Sequence, residues 1–151
     1  MCMYTGFKKA LVAEKDIVCY KNADLLDNPG GKTKFQSVIQ GFLYLLHKEY
    51  TLDKGARFPL DNELYKYQNA IRLEEGFHSF KVRKDAEDDI NCWLENVRVV
   101  LKCVIPAGAH YWHGNWFWLK TQKKSECRQY CSDKIRIVAW KFRNEKTWRE
   151  V

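Results

Sequence analysis

The pattern of hydrophobic positions is clearest in two segments of the second half of the chain, and both predict β-strands. From Val97 to Ile105 every odd-numbered position is apolar, whereas the even-numbered positions include Arg98 and Lys102. This alternation is typical of a strand with one face in the core and the other partly in water. The segment from Lys134 to Phe142 also alternates, and both of its faces are partly apolar. In this second strand, alternation predicts a shared face for Ile135, Ile137 and Ala139.

One amphipathic helix is predicted immediately before the first of these strands, over about residues 84–96. Its apolar side chains recur at helical spacing and would form one stripe, which consists of Ala86, Ile90, Trp93, Leu94 and Val97. Carboxylates such as Asp85 and Glu87 crowd the first turns, where they suit the positive end of the helix dipole.

Shorter apolar runs predict further strands at Asp16–Tyr20, Phe42–Leu46 and Ala70–Leu73. The polar stretch before the last of these is predicted to be irregular, and the polar tail from Arg143 to Val151 is a candidate for fraying. Several strands together with one main helix predict a single compact α+β domain over residues 1–151, built mostly of antiparallel sheet.

Composition supports a folded domain with a basic surface. The chain of 151 residues has the length of one domain, and 46% hydrophobic with 15% aromatic residues is too much for a disordered chain. The formal net charge of +7 raises the local concentration of anions, so nucleotides, nucleic acids and acidic partners are candidate ligands. The N-terminal residues carry no signal-peptide pattern, and no apolar run has the length of a membrane span. We therefore predict a cytoplasmic protein without membrane attachment, whose six cysteines are free thiols.

A cluster of aromatic residues from His110 to Trp118 is the most unusual feature of the chain. Bases and other flat rings stack on exposed aromatic side chains, and neighbouring cations hold phosphates. Lysines and an arginine follow this cluster closely. The residues predicted to bind an anionic ligand are therefore Tyr111, His113, Lys120, Lys124 and Arg128, with His78 as a second region.

Core packing is the alternative interpretation of the same rings. Trp112, Trp116 and Trp118 share one parity, so a continuous strand would turn all three into the core. The residues of opposite parity, expected on the exposed face, are Tyr111, His113 and Phe117.

A zinc site is a minority interpretation of four residues, which are His110, His113, Cys127 and Cys131. Imidazole and thiolate ligands at short spacings are typical of zinc. The usual pair of cysteines separated by two residues is missing from the sequence, so we predict no metal site and no cofactor. The cysteines in apolar segments, predicted to be structural, are Cys19, Cys92 and Cys103.

Three short islands carry a resemblance to a known family. They are Gly41-Phe42-x-Tyr44, Glu75-Gly76-Phe77-His78-Ser79-Phe80 and Ser132-Asp133-Lys134-Ile135-Arg136-Ile137. In this order they resemble a family of small uncharacterised proteins found in phages and in gut bacteria with their prophages. The resemblance implies a protein that acts in the cytoplasm of a bacterial host. In that setting a basic aromatic pocket would sequester a host nucleotide signal, or inhibit a host defence protein.

A second resemblance concerns the turn at Gly76–His78 and the following helix with Ala86, which look like part of the ADP-ribosyltransferase-like toxins. It implies an NAD pocket, with His78, Tyr44 and Glu126 as candidate residues for transfer chemistry. Because no late catalytic glutamate is evident in the sequence, we favour a non-catalytic binding protein for an anionic, nucleotide-like ligand. An ADP-ribosyltransferase-like enzyme that uses NAD and a nucleic-acid-binding module remain the alternatives.

Overall fold

The computed structural model describes residues 3–26, 31–37, 41–53, 57–63, 70–89, 98–117 and 123–151. It confirms an α+β fold that is mostly antiparallel sheet with one α-helix among the described residues. The strands are β1 (Met3–Thr5), β2 (Leu11–Val12), β3 (Ile17–Leu26), β4 (Lys34–Ser37), β5 (Leu43–Leu45), β6 (Glu49–Thr51), β7 (Ile71–Leu73), β8 (Phe77–Phe80), β9 (Arg98–Ile105), β10 (His110–Gly114), β11 (Gln129–Ser132) and β12 (Lys134–Phe142). The helix of the described part is α1 (Arg83–Asp88), and a 3-10 turn covers Lys124–Glu126.

The strands β5, β4, β3, β9, β12 and β6 follow one another around a shared core, and we call this part of the sheet the barrel; its edge strands β5 and β6 are linked by a turn. On one side β3 pairs with β9, β9 with β12, and β12 with β6. On its other side β3 pairs with β4, and β4 with β5. A turn at residues 46–48 joins β5 directly to β6, with His47 in the left-handed region at φ 60°. The backbone N–H of His47 donates to the carbonyl of Ile137 at 2.7 Å, which continues the β6–β12 pairing into the turn.

The interior of this barrel is the main hydrophobic core. Alternate positions of β3 and β9 face inward, because successive side chains of a strand point to opposite faces. The register between the two strands places small and aliphatic residues opposite each other. The buried side chains of this core include Cys19, Ala23, Phe35, Tyr44, Val99, Leu101, Cys103, Ile135, Ile137 and Trp140.

The sheet continues beyond the barrel from the middle of β3. Tyr20 of β3 pairs with Phe80 of β8, and the strand order then runs β8, β11, β10, β2. The separate pair β1–β7 packs on one face of this extension, where it buries a second cluster of Met3, Leu73, Trp112 and Cys131. The β1–β7 pair thus covers one face of this extension. The other face continues along the sheet toward the barrel.

The helix α1 packs on the outside of the sheet, where Ala86 is buried against Phe80 and Val100. It begins one residue before the predicted start, and the described helix ends at Asp88. Asp89 leaves the helical conformation at φ −79° and ψ 47°. Acidic side chains at this end face the negative pole of the helix dipole, which disfavours continuation. Residues 90–97, with most of the predicted apolar stripe, lie outside the described residues.

The predicted strands at Asp16–Tyr20, Phe42–Leu46 and Ala70–Leu73 are confirmed as β3, β5 and β7, and the two long alternating segments as β9 and β12. One predicted face is wrong. The register between β12 and β9 shifts between Ile137 and Ala139, which is a β-bulge. Since a shift of one residue exchanges the two faces of a strand, Ala139 turns outward and Trp140 turns into the core.

The C-terminal tail lies against the outside of the barrel. Trp140 and Arg149 form an isolated antiparallel bridge, with backbone hydrogen bonds of 2.9 and 2.7 Å. Trp148 packs against Tyr20, with ring centroids 6.1 Å apart. In the part of the chain that the structure describes, no helix has both the length and the apolar character needed to cross a bilayer.

Candidate functional site

Three aromatic rings meet on one face of the β10–β11 pair, and we call them the aromatic cradle: Tyr111, His113 and Tyr130. Tyr111 and His113 alternate along β10 and therefore share a face, and the register places Tyr130 opposite His113. The ring centroids are 5.4 Å apart for Tyr111 and His113, 5.8 Å for Tyr111 and Tyr130, and 5.4 Å for His113 and Tyr130. All three side chains are half-buried, so their rings are partly open to solvent.

Two lysines stand beside the aromatic cradle. The amine of Lys81 lies 5.1 Å from the centroid of the Tyr130 ring and donates a hydrogen bond of 3.0 Å to the carbonyl of Lys124. Within the described ranges, neither Lys81 nor Lys124 forms an ion pair with a carboxylate. These two amines can therefore interact with an anion from solution.

The three rings of the cradle are neutral and lie next to the positive charges of the two lysines. Burial, together with the charges of Lys81 and Lys124, lowers the pKa of His113 to about 4, so this imidazole is neutral at pH 7. Burial raises the pKa of Tyr111 and of Tyr130, so both keep their phenolic protons. The cradle therefore offers two hydroxyl donors, a neutral imidazole and two amines to a bound molecule.

The recess next to the cradle is shallow. A crevice of about 30 Å³ lies between the N-terminal segment and β10, lined by residues that include Phe7, Leu11, Tyr111, His113 and Lys124. This volume is close to that of one water molecule. A ligand of nucleotide size would therefore lie across the rings, with only one small group entering the crevice.

His78 lies on the opposite face of the same strands. Cys131 is in register with His78 on one side and with Trp112 on the other, and these three residues face the second hydrophobic cluster. The Sγ atom of Cys131 is 4.0 Å from Nε2 of His78. Burial and the charge of Lys21 lower the pKa of His78 to about 3, and burial raises that of Cys131 to about 12. Both groups are neutral at pH 7, unlike the thiolate and imidazolium of an activated cysteine.

The other predicted binding residues have separate surroundings. The guanidinium of Arg128 makes two hydrogen bonds to Asp85, of 2.9 and 2.7 Å, and so ties β11 to α1. Lys120 lies outside the described residues. The structure therefore brings Tyr111, His113 and Lys124 together, and places Arg128 and His78 elsewhere.

The residues suggested by the toxin resemblance are also dispersed. Tyr44 is buried inside the barrel, where burial raises its pKa, whereas Glu126 is exposed on the 3-10 turn. His78 lies next to Cys131 of the second hydrophobic cluster, on the far face of β8 from the cradle.

The predicted burial of the tryptophans is confirmed for Trp112 only. Its side chain is 1% exposed, and its indole N–H donates to the carbonyl of Pro59 at 2.9 Å. Trp116 is 58% exposed, because β10 ends at Gly114 and strict alternation ends with it. Phe117 is exposed as predicted, and Trp118 lies outside the described residues.

The four residues of the zinc interpretation have different partners. His110 faces Asp133, with Nδ1 3.2 Å from the carboxylate, and the thiol of Cys127 donates to the carbonyl of Lys123 at 3.5 Å. His113 belongs to the cradle and Cys131 to the second cluster. Among the described residues, no three side chains of the metal-binding types converge.

Sequence reasoning missed three residues that shape this region: Lys21, Lys81 and Tyr130. Lys21 follows Cys19 at spacing two, so it faces the barrel interior, where its amine donates to the carbonyl of His78 and lies 5.7 Å from the ring centroid of Tyr44. The sequence did carry a signal for Lys21, because this lysine shares its strand face with the apolar residues two positions before and after it. Tyr130 had none, because the four residues of β11 show no alternation of apolar and polar side chains.

Comparison of the chain with family models, with curated proteins and with solved structures finds no match. The phage-type and toxin-type resemblances therefore stay predictions.

Proposed function

We propose that this protein binds an anionic, nucleotide-like ligand at the aromatic cradle, without catalysing a reaction on it. The observation that supports the proposal is the position of two unpaired amines, Lys81 and Lys124, beside three partly open rings. In a bacterial host, such a site would sequester a nucleotide signal.

The chemistry of the cradle suits the two halves of a nucleotide. A base would stack on the ring of Tyr130 or Tyr111, an interaction that contributes about 1–3 kcal/mol per base in other proteins. A phosphate would accept hydrogen bonds from the amines of Lys81 and Lys124, neither of which forms an ion pair with a described carboxylate. The neutral imidazole of His113 supplies one more hydrogen bond to either half.

The test is calorimetric titration of the protein with ADP-ribose, NAD and cyclic dinucleotides. At least one of these probes should bind, and Lys124→Ala should weaken its binding roughly tenfold, since a hydrogen bond to a charged group contributes about 1.5–3 kcal/mol. Tyr130→Leu should weaken the same probe about tenfold through lost stacking. Lys146→Ala is the matched control: it removes an equal charge from the exposed tail and should leave affinity unchanged.

Three outcomes would contradict the proposal. Titrations without heat and without a thermal shift for every probe would exclude the small-ligand site. Release of nicotinamide from NAD would replace binding by catalysis. A gel shift of duplex or single-stranded nucleic acid that weakens steeply with salt, together with silence toward mononucleotides, would favour a nucleic-acid-binding module.

A further inference from the structure

Two cysteines face each other across the central strand pair of the barrel. Cys19 of β3 is in direct register with Cys103 of β9. Both are free thiols, and both are fully buried. Directly opposed residues of antiparallel strands have Cα atoms about 4.5 or 5.5 Å apart. Both separations lie within the range of about 4.4–6.8 Å that a disulfide spans.

The surroundings of this pair distinguish one thiol from the other. Burial alone would raise the pKa of Cys19, but the neighbouring side chains of Cys103 and Ser79 and the charge of Lys21 bring it below the ordinary value of a thiol. Burial raises the pKa of Cys103 well above that value. The other titratable side chains near the pair are Tyr44 and Tyr130, which keep their protons. Cys19 is therefore suited to attack as a thiolate, and Cys103 to react second as a thiol.

We propose that Cys19 and Cys103 are a redox-active dithiol, a modification site at which a small peroxide forms an intramolecular disulfide between β3 and β9. Hydrogen peroxide is the appropriate oxidant, because it is close to water in size and the sulfur atoms are buried. In a reducing compartment the bond would be transient and reversed by dithiols, as regulatory disulfides are.

The chemistry proceeds in two balanced steps. The thiolate of Cys19 attacks one oxygen of hydrogen peroxide, the O–O bond breaks, hydroxide leaves, and Cys19 becomes a sulfenic acid. The thiol of Cys103 then attacks Sγ of Cys19, the S–O bond breaks, and the leaving hydroxide takes the thiol proton as water. The two sulfur atoms together lose two electrons, which the peroxide gains.

The two other described cysteines lack this arrangement. Cys131 has His78 and Trp112 in register with it, and its burial raises its pKa to about 12. Cys127 donates to the carbonyl of Lys123. Neither faces a second thiol across a strand pair, so Cys131→Ser is a matched control for the loss of one buried cysteine.

The experiment oxidises the folded protein with hydrogen peroxide, blocks the remaining thiols with iodoacetamide in denaturant, and maps the digest by mass spectrometry. We expect one dominant cross-linked peptide pair that joins Cys19 to Cys103 and disappears after dithiothreitol. The Cys131→Ser variant should form the same link. In Cys103→Ser, oxidation should stop at the sulfenic acid of Cys19, which dimedone traps.

A second measurement tests the environment of the pair. Lys21→Met should form the disulfide about tenfold more slowly, since the thiolate fraction changes tenfold per pKa unit, whereas the exposed Lys84→Met should react at the wild-type rate. Circular dichroism checks that both variants are folded. The proposal is overturned if Cys19 and Cys103 both remain alkylatable while the wild-type protein is oxidised elsewhere, or if the link forms equally fast without Lys21.

Discussion

At the scale of single residues, the least expected feature is charge inside the sheet. Lys141 is only 2% exposed, and its amine donates to Glu87 at 2.6 Å and to the carbonyl of Glu145 at 2.8 Å. The side chains of Arg98 and Asp24 are 7% exposed and 2.6 Å apart. Buried charges of this kind persist where a partner compensates the loss of hydration. The carboxylate partners Glu87 and Asp24 lie far away in the sequence, so alternation alone places Arg98 on the partly wet face of its strand.

Gly76 gives the sharpest prediction at a single position. Its φ is +122°, and a Cβ atom there would lie 2.5 Å from Sγ of Cys131 and 3.1 Å from the ring of Phe58. Gly76→Ala should therefore lower the free energy of unfolding by roughly 3 kcal/mol, through backbone strain and overpacking together. Urea denaturation followed by circular dichroism measures the change.

Gly108→Ala is the control for Gly76→Ala. Gly108 also has a positive φ, of +87°, but a Cβ atom there meets no atom within 4 Å. Only backbone strain applies, and we expect a loss of about 1 kcal/mol. Equal losses in the two variants would show that the close approach to Cys131 does not constrain this turn.

At the scale of secondary structure, the alternation of apolar and polar residues predicts those strands that have one fully apolar face and polar residues on the other. β9 was found with nearly correct ends, because its core face holds Val99, Leu101 and Cys103 while Arg98 and Lys102 interrupt the opposite face. β8 is different: all four of its residues are buried, with Phe77 in the barrel core and Phe80 packed against α1 on the opposite face. A strand covered on both faces has no period of two, so β8 and β11 were not predicted.

The start of α1 lacks a side-chain cap and supplies a prediction for this element. Val82 occupies the N-cap position in an extended conformation, at φ −116° and ψ 132°, with no side-chain hydrogen bond to the first turn. Val82→Ser places a hydroxyl where it accepts a hydrogen bond from a free backbone N–H. Relative to Val82→Ala, it should raise the free energy of unfolding by about 1 kcal/mol. Urea midpoints of the two variants measure the difference, and equal midpoints would mean that the cap does not form.

At the scale of the whole molecule, closure of the barrel depends on contacts that no local pattern encodes. The bulge at Val138 and the turn at His47 both belong to this closure, and each departs from the regular alternation around it. Because local patterns do not encode contacts between distant strands, only part of the candidate site could be predicted from the sequence. Tyr111, His113 and Lys124 were identified by type, whereas Lys81 and Tyr130 reach the cradle only through the pairing of β8 with β11 and of β11 with β10.

The tail closes one end of this molecule, although its polar composition suggested fraying. The guanidinium of Arg149 lies 4.7 Å from the ring centroid of Trp140 and 4.9 Å from that of Phe142. The indole N–H of Trp140 donates to the carbonyl of Val151 at 3.1 Å, and the carbonyl of Glu150 lies 2.6 Å from Nε2 of His47, in the turn that joins β5 to β6.

Removal of residues 148–151 should therefore weaken the barrel as a whole. The deletion uncovers Trp140 and removes the cation–π contacts and hydrogen bonds at once, so we expect the free energy of unfolding to fall by about 3 kcal/mol. Amide hydrogen exchange should accelerate in β12 around Trp140 and in the turn at His47, because both lose a partner. Lys146→Ala, an exposed change in the same tail, should leave stability and exchange as in the wild-type chain. If the deletion behaved like this control, the tail would be an appendage of the barrel, and its bridge to Trp140 would carry no share of the stability.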